Sequence, residues 1–147
     1  RVSRSLAFVL PLVAWLATTS AAAADRPAPI LPGDLKWFSP PTNAAVQGAW
    51  VVGGETAPGP YLFRVRLAAG GRISLHVHPD TRATTVLAGT LWVGFGADAT
   101  DAQLVAVPAG AVYVAPANVP HWVVAKDGDV TYQESGVGPT ATTPVAR

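Results

Sequence analysis

The chain has 147 residues, half of them hydrophobic and only 13% charged, which excludes charge-driven disorder and leaves room for one domain with its own core. Cysteine is absent, so disulfides, thiolate metal sites and cysteine nucleophiles are excluded. Net charge is +1 with no basic run or stripe, which argues against nucleic acid as a partner. In chain order, Arg1–Ala24 has a basic start, an apolar run over Leu6–Ala17 and a small-residue end with Ala22-x-Ala24. That is the layout of a secretory signal. The rival reading is a retained anchor, but only about a dozen residues are strongly apolar, and Pro11 breaks them where a spanning helix needs about 20. Export, cleavage and a periplasmic or secreted location are expected, with no stable membrane insertion afterwards.

Residues 25–41 hold Pro27, Pro29, Pro32, Pro40 and Pro41, which predicts an extended arm. Its Leu35, Trp37 and Phe38 are too apolar for a free tail and should pack on the domain or on a neighbouring subunit. Residues 42–135 then read as nine short β-type runs: Val46–Val52, Tyr61–Leu67, Arg72–His78, Arg82–Leu87, Thr90–Phe95, Gln103–Val107, Ala111–Ala115, His121–Ala125 and Val130–Glu134. Fourteen glycines and fourteen prolines, gathered largely in turns such as Gly70-Gly71 and Pro116–Pro120, rule out long helices between them. A single helical turn fits only at Ala97–Gln103. Nine strands at this spacing predict an all-β antiparallel sandwich or barrel. Residues 136–147 are rich in Thr and Pro and are expected to form an irregular surface tail.

All three histidines fall beside turns that border predicted strands. His76 and His78 are two apart, so on a strand their side chains leave one face, with Cα atoms about 6.5–7 Å apart. Both rings can then reach one ion at about 2.0–2.1 Å. Strict alternation places Arg72 and Ser74 on that face as well. His121 follows the stiff Pro116–Pro120 turn, and an imidazole from this distant strand would supply a third corner. The plain alternative is that His76 and His78 form a chance pair on a solvent face.

The spacing Gly70, five residues, His76-Val-His78, three residues, position 82, six residues, Gly89 resembles the first motif of the cupins. Gly110, five residues, Pro116, then Asn118, two residues and His121 resembles the second. The similarity spans about residues 60–125 and is to small single-domain cupins, mostly of unknown specific function. It implies a cupin-like antiparallel β-barrel (jelly roll) with a metal-binding mouth, and a homodimer. Carried over residue by residue, it makes His76, His78 and His121 the ligands of a divalent metal ion: Fe, Mn, Ni or Zn. Asn118 stands where the pattern has Gly, a change that Asn tolerates because it enters left-handed conformations.

Arg82 stands where the pattern has a Glu ligand, which is the larger departure. A dication and a guanidinium about 5 Å apart repel by roughly 7 kcal/mol at an effective dielectric of 20. Three outcomes remain open: metal on three histidines with Arg82 turned away; Asp80 supplying a carboxylate from the turn; or no metal, with Arg82 and the histidines binding an anion. Gln133 and Thr131 share one face of the last strand, with Tyr132 and Glu134 on the other. By comparison with the barrel pattern Gln133 is assigned to the cavity, as a ligand-binding residue beside Arg82. Tyr61, Trp92 and Trp122 are expected as core or rim aromatics. No Ser-His-acid set and no phosphate-loop signature is present. Two functions follow: an exported binder of a small, anionic molecule, with or without a divalent metal, or a metal-dependent oxygenase or related enzyme. No acid is placed in the mouth by sequence reasoning, and that favours the binder.

Overall fold

Runs of Val, Ile, Thr and aromatic residues form strands wherever Gly, Pro and Asn clusters allow the chain to reverse. The computed structural model describes residues 27–98 and 100–146. The export signal expected in Arg1–Ala24 lies outside the described residues. Among the described residues there are ten strands: β1 (Val46–Val52), β2 (Gly59–Leu67), β3 (Arg72–Val77), β4 (Arg82–Ala88), β5 (Thr90–Phe95), β6 (Val105–Pro108), β7 (Val112–Ala115), β8 (His121–Val124), β9 (Val130–Gly138) and β10 (Thr143–Pro144). The helical turn expected in Ala97–Gln103 is a short 3-10 turn at Asp101–Gln103.

The strands make two five-stranded antiparallel sheets, ordered β1-β2-β9-β4-β7 and β10-β3-β8-β5-β6. Sequence neighbours often lie in different sheets, as in a jelly roll. The longest ladder joins β2 to β9, from Gly59↔Gly138 to Leu67↔Val130. At the β4–β5 hairpin Gly89 has φ +77°, and a Cβ there would meet the Asp129 carbonyl, so the turn requires glycine.

Between the sheets, Val65, Leu67, Val86, Leu91, Val93, Val123, Val130 and Tyr132 form the main core. The same interior continues into a cavity of about 700 Å³. A second cluster, Leu75 and Trp122 with Leu104, Val124 and Val145 against them, sits on the outer face of the β3–β8 sheet. The switch between faces has a local cause. A register shift lies between Ile73 and His76 in the β3–β8 ladder. Ile73 therefore packs on the main core, Leu75 on the outer cluster, and His76 turns inward again. Strict alternation put Arg72 on the histidine face; instead its guanidinium stacks over Trp122, 3.9 Å from the ring centroid.

The arm packs on its own domain. The Arg66 guanidinium covers Trp37 at 3.9 Å, Leu35 is buried, and Phe38 forms a bridge with Gly48. The tail corrects the expectation of an irregular surface segment. β9 runs on to Gly138, Thr140 is buried, and β10 pairs with β3 at Thr143↔Val77 and Pro144↔His76. The Thr- and Pro-rich composition hid a segment whose partners are all distant in sequence.

Gly94 faces Trp122 across the β5–β8 ladder, and a Cβ at Gly94 would overlap the indole. Because Trp122 is fully buried, it has nowhere to yield. Gly94→Ala is therefore expected to cost about 1–3 kcal/mol by overpacking, read as a lower midpoint in denaturant unfolding at unchanged slope.

Candidate metal centre

His76 and His78 come from the end of β3, and His121 opens β8 directly across the ladder as the partner of His76. The Pro116–Pro120 turn delivers His121: Asn118 takes φ 62°, and its N–H donates to the His78 carbonyl at 2.7 Å. The Asn at the usual Gly position thus adopts the left-handed conformation while tying the two histidine segments together. Ring centroids are 4.8 Å apart for His76–His78, 4.4 Å for His76–His121 and 5.1 Å for His78–His121. All three side chains are buried, and one potential ligand atom from each lies within 4.8 Å of the others.

Backbone carbonyls decide which nitrogens those are. His76 Nδ1 donates to Ser74 O at 2.7 Å, His121 Nδ1 to Val119 O at 3.0 Å, and His78 Nδ1 to Ala141 O at 2.9 Å. A carbonyl only accepts, so each Nδ1 carries the proton and each Nε2 keeps its lone pair. The His78 Nε2 is buried with no hydrogen-bond partner among the described residues. A desolvated lone pair beside two other imidazole lone pairs is what a divalent ion would satisfy. Burial, chiefly, lowers the pKa of His76 to about 4 and that of His78 to about 3, with the Arg82 charge as a further cause in both. His121 is lowered by the same effects. The rings are neutral, and ready to ligate, throughout the physiological range.

Arg82 turns into the cavity beside them, as the alternation Arg82, Thr84, Val86 predicted, and all three are buried. Most of its donors already have partners within the protein. Nη1 donates to Glu134 Oε2 at 2.7 Å, and Nη2 to Thr140 Oγ1 at 2.7 Å and to Ala141 O at 3.2 Å. Nε lies 3.7 Å from Asp80 Oδ1. Asp80, considered above as a substitute metal ligand, also accepts hydrogen bonds from Tyr61 Oη at 2.6 Å and from Thr140 Oγ1. Its oxygens are occupied in neutralising and framing the guanidinium.

Gln133 requires a correction. Its Oε1 accepts from Arg64 Nε at 3.2 Å and Nη2 at 2.7 Å on the outer face of the sheet, and it does not line the cavity. Glu134 takes the inward place, in register with Thr84 of β4. Buried Val130 and Tyr132 precede Glu134 at even spacing and mark the inner face. That alternation was readable in the sequence, and the barrel comparison overrode it. The mouth therefore contains a carboxylate, whose pKa is raised by burial and opposed by Arg82. Aromatic side chains of Phe38, Trp50 and Phe63 form a wall of the same cavity.

Residues 63–133 match the family model of the cupin domain. Among solved structures, the polyketide cyclase RemF from Streptomyces resistomycificus superposes with TM-score 0.68 at 14% identity, over 83% of this chain and 87% of that one. A cupin-2 domain protein from Rhodospirillum rubrum gives TM-score 0.63 at 16% identity, over 83% and 82%. Bacillus subtilis oxalate decarboxylase, a protein with Mn(II) centres, gives 0.61 at 14% identity, over 77% of this chain and 31% of that one. No curated protein matches the chain. The fold and the family model together define the class: an all-β jelly roll with a three-histidine cluster in its mouth. Residues 63–133 are a cupin domain, in a chain with the fold of the small cupins.

Two outcomes check this geometry. Glu134→Ala strands a buried guanidinium and is expected to destabilise by about 3 kcal/mol or more, whereas Gln133→Ala costs about 1 kcal/mol or less, both read by denaturant unfolding. The histidines also set a pH dependence. Their folded pKa values lie below the unfolded 6.5, so the unfolded chain binds more protons between pH 6.5 and about 3. Stability of the metal-free protein should fall as pH drops through that window, and His78→Gln should make the fall shallower.

Proposed function

We propose that this protein binds a divalent metal ion on His76, His78 and His121, and through it a small molecule held in the cavity. The observation that carries the reading is the set of three buried imidazoles, each fixed by a carbonyl so that its free nitrogen faces the other two. Nitrogens around one ion, at about 2.0–2.1 Å from it, sit roughly 3–4 Å apart. The observed set, within 4.8 Å, closes to that spacing by small ring movements. Three imidazoles and no thiolate suit Fe, Mn, Ni or Zn. When bound, the ion supplies open coordination positions and a Lewis-acidic charge facing the cavity.

The charge balance selects the ligand's end group. Asp80, Arg82 and Glu134 sum to −1, so a dication leaves the mouth at +1 and favours an anionic oxygen donor. That preference is assigned to the ion and not to Arg82, whose Nη1 and Nη2 both already donate within the protein. The wall of Phe38, Trp50 and Phe63 suits an apolar body attached to that donor. Export of the mature domain is part of the same reading and rests on the layout of Arg1–Ala24. A homodimer is carried only by the family resemblance.

Turnover is a second reading, favoured by Glu134, a buried carboxylate lining the cavity that sequence reasoning had missed. Such a group is placed to accept a proton from a bound molecule if its pairing with Arg82 loosens.

Equilibrium dialysis of chelator-treated protein against Mn(II), Fe(II), Ni(II) or Zn(II) tests the metal. One ion per chain is expected, and His76→Ala, His78→Ala or His121→Ala should each weaken it about 100-fold or more, roughly 2.7 kcal/mol. Equal, weak uptake by wild type and all three variants would remove the reading.

A further inference from the structure

The only histidine of the three whose Nδ1 partner is distant in sequence is His78. Ser74 and Val119 each lie two residues from the ring they hold, so His76 and His121 are oriented by their own segments. His78 reaches Ala141, 63 residues away, in the segment that follows β9. The neighbouring residues of that segment converge on the same place. Thr142 Oγ1 approaches His78 Nδ1 at 3.4 Å. Thr140, only 6% exposed, accepts from Arg82 through its hydroxyl oxygen and donates a hydrogen bond from that hydroxyl to Asp80. Three backbone contacts pin the segment at both ends. Thr140 N–H donates to Glu55 O at 2.8 Å, Val145 N–H donates to Leu75 O at 3.0 Å, and β10 pairs with β3 beside His76. Val145 also packs on the outer cluster of Leu75 and Trp122.

We propose that residues Pro139–Val145 are a strap that completes the candidate metal centre from outside the barrel motifs, with the Ala141 carbonyl as the positioning group of His78 and Thr140 as the positioning residue of Arg82. The carbonyl holds the proton on His78 Nδ1 and so directs the Nε2 lone pair inward. Thr140 holds the guanidinium against Asp80 and Glu134, which keeps its charge from turning toward the histidine nitrogens. The two effects are separable, because one acts through the backbone and the other through a hydroxyl. The inference adds to the metal-binding reading, but its first test needs no metal.

The test is nitrogen–proton correlation NMR of the imidazole rings in the full-length, metal-free protein at neutral pH. Wild type should show all three histidines as neutral rings protonated on Nδ1. Val145→Pro removes the N–H that docks the strap on Leu75 while leaving every cavity residue in place. It should shift His78 to a mixture of tautomers while His76 and His121, held by local carbonyls, stay as they are. Val145→Gly, which keeps the N–H but removes the side chain that packs on Leu75 and Trp122, gives the same comparison should the proline variant fail to fold. Three unchanged tautomers in a variant whose Thr140 amide exchanges faster would overturn the role of Ala141. For the second half, Thr140→Val should speed exchange of the Arg82 guanidinium protons about tenfold. Unchanged exchange would overturn the role of Thr140. A wild type that takes up no metal, with the His78 shift still seen in the Val145 variants, sinks the metal reading and leaves the strap standing.

Discussion

The burial of a guanidinium in the same chamber as three imidazoles is the constraint on which the site depends. An isolated buried charge costs several kcal/mol, so Arg82 is tolerable only with compensation on every side. Glu134 supplies it from β9, Asp80 from the turn before β4, and Thr140 with Ala141 from the tail. Those partners belong to three separate segments, and Arg82 therefore acts as a knot between the sheet and the strap. The same charge suppresses protonation of the histidines, whose pKa values burial has already lowered. One residue thus joins the walls of the cavity and adds to the burial that keeps its lone pairs free.

The arrangement changes what the departure from the cupin pattern means. With Glu at position 82, a carboxylate would be available to the ion directly. With Arg, the carboxylates move back by one step: they face the guanidinium, and an ion bound here would be left to three neutral ligands. A centre with neutral ligands retains the full charge of the dication, which strengthens its attraction for an anionic donor. The aromatic wall at Phe38, Trp50 and Phe63 supplies an apolar surface opposite that charge. Polar recognition at one end and apolar area at the other are what the proposed binding of a small molecule with an anionic end would use.

Stiffness is distributed unevenly around the cavity. His76 and His121 depend on carbonyls two residues away, so only local unfolding releases them. His78 and Arg82 depend on residues after Gly138, where β10 spans just two residues at a sheet edge. Short edge pairings are the least protected part of a β-sheet. Of the three ligand positions, the one held by the tail is therefore the one most open to adjustment.

Much of this protein was legible in its residues. The strand runs, the turn chemistry and the spacing of His76, His78 and His121 follow from short-range rules, because period-two alternation and glycine or proline turns act within a few residues. The inward face of Arg82, Thr84 and Val86 was readable for the same reason, and so was that of Glu134, whose inner-face neighbours Val130 and Tyr132 were set aside for an analogy that favoured Gln133. Other features were decided only by the tertiary structure. The register shift in β3 sends Arg72 onto Trp122 because pairing with β8, not local propensity, sets the register there. The tail becomes a strand and a clamp because its hydrogen-bond partners lie more than 50 residues away, where composition and periodicity carry no information. Local sequence determined which side chains could face one ion; only long-range pairing decided which carbonyls and carboxylates hold them there.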